Sequence, residues 1–179
     1  MFCLAGVEQT RSIPMKTFPK IMLVILTATI LLCCSPRQYP TVMVPPASCS
    51  PHLQFATASS LDALLQFSDK MHKPVFIDFY SPWIESCKRM EESVFTHKDL
   101  AAFFNENFIN YKINIGGPPP GPYLANLYGI TTYPTLNFLD GKGKVMKRHE
   151  GDASVSELLS MGLYLHRAVE KEMISMGTN

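Results

Sequence analysis

Apolar and polar positions along the chain change period several times, and each change predicts an element. Ile21 to Cys34 is almost wholly apolar, Ile-Met-Leu-Val-Ile-Leu-Thr-Ala-Thr-Ile-Leu-Leu-Cys-Cys, whereas residues 35–51 carry five prolines and neither a helical nor an alternating pattern. Residues 35–54 therefore read as an extended tether. From Ser59 and Ser60 onward, Leu61, Leu64, Leu65 and Met71 recur at three- and four-residue spacing, which predicts a capped helix over about 60–71. Lys73-Pro74 ends it, and Val75-Phe76-Ile77-Asp78-Phe79-Tyr80 is a nearly continuous apolar run of the kind that forms a strand buried on both faces. Helix formers fill Ile84 to Val94, Thr96 is placed to cap a further helix through Leu100, Phe103 and Phe104, and Phe108 to Ile115 reads as the next strand.

Gly116-Gly117-Pro118-Pro119-Pro120-Gly121-Pro122 suits neither regular structure and predicts a loop of partly polyproline character. Beyond it come a short helix over Tyr123 to Tyr128 and two strands, Thr135 to Leu139 and Lys144 to His149, around the turn Asp140-Gly141-Lys142-Gly143. A last helix begins at Ser154 or Ser156, with Val155, Leu158, Leu159 and Leu163 as its apolar stripe. This order of elements implies an α/β domain with a central mixed sheet flanked by helices over residues 55–179.

Composition narrows the function classes. A chain of 179 residues suits one domain with an appendage, and 46% hydrophobic with 17% charged residues is enough for a packed core. A formal charge of +1 gives no field that would gather nucleic acid. Five cysteines are too few for a disulfide-stapled scaffold, and the histidines at 52, 72, 97, 149 and 166 share no metal-ligand spacing, so neither a metal nor a cofactor is expected.

Residues 1–34 look like an export signal. Two lysines, Lys16 and Lys20, precede the apolar run, and Met15 is an alternative start. A helix of about 14 residues spans roughly 21 Å, short of the roughly 30 Å hydrocarbon core. The run also resembles a bacterial lipoprotein signal, which makes Cys33 and Cys34 the lipidation candidates; Cys33 follows Leu32, where that signal prefers a small residue, and Cys34 follows a small one. An ordinary signal peptide or short anchor is the alternative. Either places the domain outside the cytoplasm, in the periplasm or cell envelope, with membrane attachment through a lipid in the first case.

Two separated segments, within a stretch of about residues 55–168, resemble the thioredoxin superfamily. Phe76-Ile77-Asp78-Phe79-Tyr80-Ser81-Pro82-Trp83-Ile84-Glu85-Ser86-Cys87-Lys88 is similar to the family's strand, buried aspartate and Trp-Cys-x-x-Cys-Lys redox turn. Tyr128-Gly129-Ile130-Thr131-Thr132-Tyr133-Pro134-Thr135-Leu136 is similar to the segment that holds its cis-proline. Lys73-Pro74-Val75 and Glu92-Ser93-Val94-Phe95 look most like the corresponding parts of bacterial thiol-disulfide interchange proteins. The resemblance implies a thioredoxin-like fold, a cis bond at Pro134, a buried Asp78 that takes a proton from the thiol at Cys87, and an apolar peptide-binding face made by Trp83, Ile84, Tyr133 and Pro134.

One position departs from that pattern. Ile84 stands where the family has its nucleophilic cysteine, so the dithiol is reduced to Ile-Glu-Ser-Cys. An attacking thiolate and a resolving thiol are both needed for ordinary disulfide exchange, and isoleucine supplies neither. Asp78 and Cys87 are then candidate catalytic residues of a monothiol exchange, or inherited parts of a core: a hydrogen-bonded carboxylate and a small buried hydrophobe. Three functions are compatible with the sequence: binding of cysteine-containing or unfolded polypeptides with at most monothiol activity; a thiol-disulfide oxidoreductase using Cys87, joined by Cys49 from the tether; and a non-catalytic docking module for a protein partner.

Overall fold

The computed structural model describes residues 41–45 and 50–176. The leader, Cys33, Cys34 and Cys49 lie outside the described residues. Val42–Met43 (β1) pairs antiparallel with Thr57–Ala58 (β2), so part of the proline-rich stretch is held as a short ribbon by backbone pairing that no side-chain pattern announces. Leu61–Met71 (α1) leads to Val75–Tyr80 (β3), then Glu85–Arg89 (α2), Lys98–Asn107 (α3), Ile109–Asn114 (β4), Gly121–Leu127 (α4), Thr135–Leu139 (β5), Val145–Glu150 (β6) and Val155–Met176 (α5). Four strands form one sheet in the order β4-β3-β5-β6. β3 runs parallel to β4 and antiparallel to β5, and β5 is antiparallel to β6, which makes the sheet mixed.

Each face of this sheet carries its own cluster. Phe76, Phe104, Phe108, Phe138, Phe95, Leu158 and Leu165 fill one, with Phe104 stacked on Phe108 at 4.8 Å and edge-on to Phe76 at 5.0 Å. Val75, Ile77, Phe79, Ile109, Ile113, Leu64, Leu124 and Leu139 fill the other. Alternation along β3 sends Asp78 to the aromatic side, the same face as Phe76. The acid is therefore placed beneath the helices that pack there.

Several local expectations change in the structure. The helix expected over Ile84 to Val94 is α-helical only to Arg89; Met90–Val94 forms a π turn closed by Phe95 N–H donating to Met90 O at 2.9 Å. The wider turn lets Met90, Val94 and Phe95 all face inward while Glu91 stays outside. Thr96 does not cap α3: its hydroxyl donates to Glu92 O at 2.8 Å, and His97 occupies the cap without a side-chain bond. α4 begins at Gly121 rather than Tyr123, because Pro122 suits a first helical turn and a β-carbon at Gly121 would lie 2.1 Å from Asn114 O.

At the last helix Ser154 is the cap, taking Glu157 N–H at 3.3 Å while Glu157 Oε2 takes Ser154 N–H at 2.8 Å. Its buried stripe is turned from the expected one: Leu158 and Leu165 are interior, whereas Leu163 is 40% exposed. Gly162 causes the turn, since a β-carbon there would meet the Phe103 and Phe104 rings at 3.0 Å, and its absence lets α5 press that side against α3.

Candidate functional site

The C-terminal end of β3 supplies the site. After Tyr80 the chain turns through Ser81, Pro82 and Trp83, and α2 starts with Ile84 as its cap in an extended conformation with no side-chain cap bond. Ser81 O accepts Ile84 N–H at 3.2 Å, and Ile84 O accepts Cys87 N–H at 3.1 Å and Lys88 N–H at 3.2 Å. This short helix is fixed at its far end by Arg89, which donates twice to Asp152 Oδ2, at 2.7 and 3.2 Å, and by Ala153 N–H on Met90 Sδ at 3.3 Å. The far end of α2 is thus tied to the loop ahead of α5.

Cys87 lies one turn into α2 and is buried, the one cysteine among the described residues. Burial pushes its thiol above the ordinary range; a hydrogen bond involving the Ser81 backbone acts against this, and the charge of Asp78 adds to it. At neutral pH the group stays a thiol. Asp78 is buried beneath it, and burial raises its carboxyl from 3.8 to about 7, opposed by Lys112 and reinforced by Glu91. One carboxylate oxygen, Oδ1, has no hydrogen-bond partner among the described residues.

Lys112 was not singled out by sequence reasoning, and it organises the floor of the site. It is the direct register partner of Asp78 across the parallel β3–β4 pair, with Nζ 3.8 Å from Asp78 Oδ2. Glu91 from the π turn forms an ion pair with the same ammonium. Three rings surround it, Tyr80 at 4.3 Å, Phe55 at 5.0 Å and Phe95 at 5.7 Å. Asn110, Lys112 and Asn114 alternate with apolar residues in β4, so a polar face was visible in the sequence; what it paired with was not.

The rim is apolar and open. Trp83 is 80% exposed, and a β-carbon at Gly116 would come within 3.4 Å of its indole Nε1, so the start of the proline-rich loop lies beside the indole. Ile84 is half-buried at the head of α2. Across from it the Tyr133–Pro134 peptide bond is cis, and Ser86 Oγ donates to Tyr133 O at 3.2 Å, which joins the two candidate segments. Tyr133 turns its ring inward against the aliphatic cluster and donates its hydroxyl to Ile130 O at 3.3 Å, so it offers the site its backbone rather than its ring. Pro134 is buried. Structure thus brings Asp78, Trp83, Ile84, Cys87, Tyr133 and Pro134 to one end of the sheet, and among the described residues no cluster of ligating side chains could hold a metal ion.

Sequence comparison matches residues 62–166 to the model of the thioredoxin-like domain. The thiol:disulfide interchange protein DsbD of Salmonella typhi is 26% identical over 131 residues, 72% of this chain and 23% of that protein. Thioredoxin Y2, chloroplastic, from Arabidopsis thaliana is 36% identical over 107 residues, 58% of this chain and 56% of the relative. The chain spans about a quarter of the first and about half of the second. Among solved structures, the DsbH oxidoreductase has a TM-score of 0.54 at 20% identity, over 76% of this chain and 99% of its own. A thioredoxin from Thermus thermophilus has a TM-score of 0.51 at 21% identity, over 56% and 79%. At such identities the likeness is one of fold. With the mixed sheet, the turn at the end of β3 and the match over more than half of its length, the chain belongs to the thioredoxin-like domain family.

Proposed function

We propose that this is an exported thioredoxin-fold protein whose redox turn has become a binding surface for cysteine-containing or unfolded polypeptides, with Cys87 at most a monothiol. The observation that carries the reading is Ile84 at the cap of α2, where a reactive thiol would sit, with Cys87 buried behind it and its thiol pushed up. A buried thiol that stays protonated is a poor nucleophile. Binding needs only the exposed Trp83, the side chain of Ile84 and backbone groups beside Pro134, all of which remain. Export is supported by the apolar leader with its lysines, and Cys33 or Cys34 is the proposed lipid attachment point.

The test is thiol-dependent insulin reduction by the full-length protein beside Ile84→Cys and Cys87→Ala. Expected is no turnover above the thiol blank in the wild type and a clear gain in Ile84→Cys. Turnover by the wild type that is lost in Cys87→Ala would make Cys87 a working monothiol and overturn the reading.

A further inference from the structure

At the cis-proline three successive carbonyls are already engaged. Thr132 O accepts the Thr135 hydroxyl at 2.6 Å, Tyr133 O accepts the Ser86 hydroxyl at 3.2 Å, and Pro134 O accepts Gly151 N–H at 2.8 Å. Donors in the same stretch are in the opposite condition. Tyr133 N–H makes no bond to another backbone group among the described residues. Two of the three closures come from this loop and from the residue that follows the neighbouring strand β6, whereas Ser86 reaches over from the first turn of α2, between Ile84 and Cys87. An extended polypeptide pairing here would ordinarily exchange two bonds with one residue, giving an N–H to its carbonyl and taking its N–H on a carbonyl.

We propose that Ser86 makes the Tyr133–Pro134 backbone a one-sided partner and so determines which polypeptides it takes. The docked chain is held through its own carbonyl on Tyr133 N–H, while its N–H must share Tyr133 O with the Ser86 hydroxyl, which already holds one of that carbonyl's two lone pairs, and so gains little from it. Polypeptides with no N–H at the paired position, those with proline there, are consequently bound as well as any other. The inference rests on the peptide-binding reading above and goes beyond it by naming the class of sequence that the surface accepts and the residue responsible.

Trp83, the only tryptophan in the chain, stands exposed at the rim and reports binding by its fluorescence. The full-length protein and its Ser86→Ala and Ser86→Thr variants are titrated with a short unstructured cysteine-free peptide. Analogues of it carry an N-methyl group at each residue in turn, and one carries proline at the paired position. In the wild type and in Ser86→Thr, N-methylation or proline at that position is expected to change affinity by less than about twofold. In Ser86→Ala the parent peptide gains about threefold to tenfold, the range for one neutral hydrogen bond, and N-methylation there removes the gain. Equal N-methyl penalties in wild type and Ser86→Ala would overturn the role of Ser86 and leave the peptide-binding reading standing. Absence of binding by all three proteins would overturn that reading and this inference with it.

Discussion

Trp83 lies five positions beyond Asp78, yet the first is 80% exposed and the second 2%. The floor of the site is made by Asp78 and Lys112 from the sheet, Cys87 from the inner side of α2 and Glu91 at its edge, with Lys112 paired to both carboxyl groups and three rings packed around it. The rim of Trp83, Ile84 and the Tyr133 backbone faces water. A change on the floor disturbs a buried carboxyl, an ion pair and three aromatic contacts together, so it registers in stability. A change at the rim alters what the surface can do at little cost to the fold. Ile84, half-buried at the head of α2, sits on the rim side of that division, so a change of side chain there is expected to leave the pairing of Asp78 with Lys112 beneath it in place.

The widest contrast between rim and floor is expected in thiol reactivity. In reduced Ile84→Cys, the new thiol at the head of α2 is expected to alkylate roughly a thousandfold faster than Cys87. Peptide mapping after a brief pulse of iodoacetamide measures both, and comparable rates would abolish the distinction. Next comes the cost of Asp78. Its carboxyl is near 3.8 when unfolded and about 7 when folded, so the two states bind protons equally below pH 3.8 and differ above it. Stability attributable to this group is therefore lost as pH rises from about 4 to 7, on the order of 4 kcal/mol in total. Asp78→Asn should match the wild type near pH 3.5, exceed it by about that amount at pH 8, and flatten the profile between; urea unfolding across this range decides it.

A smaller effect isolates the ion pair. Lys112 holds the Asp78 carboxyl down, so Lys112→Met is expected to move it upward from about 7 and keep it protonated through neutral pH. Carboxyl titration followed by infrared spectroscopy reads this directly, and a downward shift would reject the assignment. At the rim, Trp83→Ala is expected to change unfolding free energy by less than about 0.5 kcal/mol while weakening polypeptide binding severalfold. A large loss of stability there would place Trp83 with the floor.

Most of the architecture was legible along the chain, for identifiable reasons. Val75 to Tyr80 announced itself as a buried strand by its nearly continuous apolar run, and Ser60 announced a helix by capping it, as its bond from Ala63 N–H at 3.1 Å bears out. Failures fell where a neighbour outvoted a local signal. Thr96 carries the chemistry of a cap, but the π turn brought Glu92 O within its reach first. Leu163 belongs to an apolar stripe by spacing, but the missing side chain at Gly162 rotated the contact face toward Leu165. Val42 and Met43 pair with Thr57 and Ala58 through main-chain groups, which leave no mark on a pattern of side chains.

The candidate site divides in the same way. Residue identity alone supplied an isoleucine at 84, a thiol at Cys87, a carboxyl at Asp78 and an indole at Trp83, because chemistry at a position is a property of its side chain. Register and burial belong to the folded chain. Parallel pairing of β3 with β4 set Lys112 against Asp78, the π turn carried Glu91 to the same ammonium, and burial between sheet and α2 raised both the carboxyl and the thiol. The bond from Ser86 to Tyr133 spans 47 residues of sequence. Nothing local fixes such a contact: short-range propensities act within a turn or two, whereas a charge's surroundings and a carbonyl's partner are set by whichever segments the sheet order brings together.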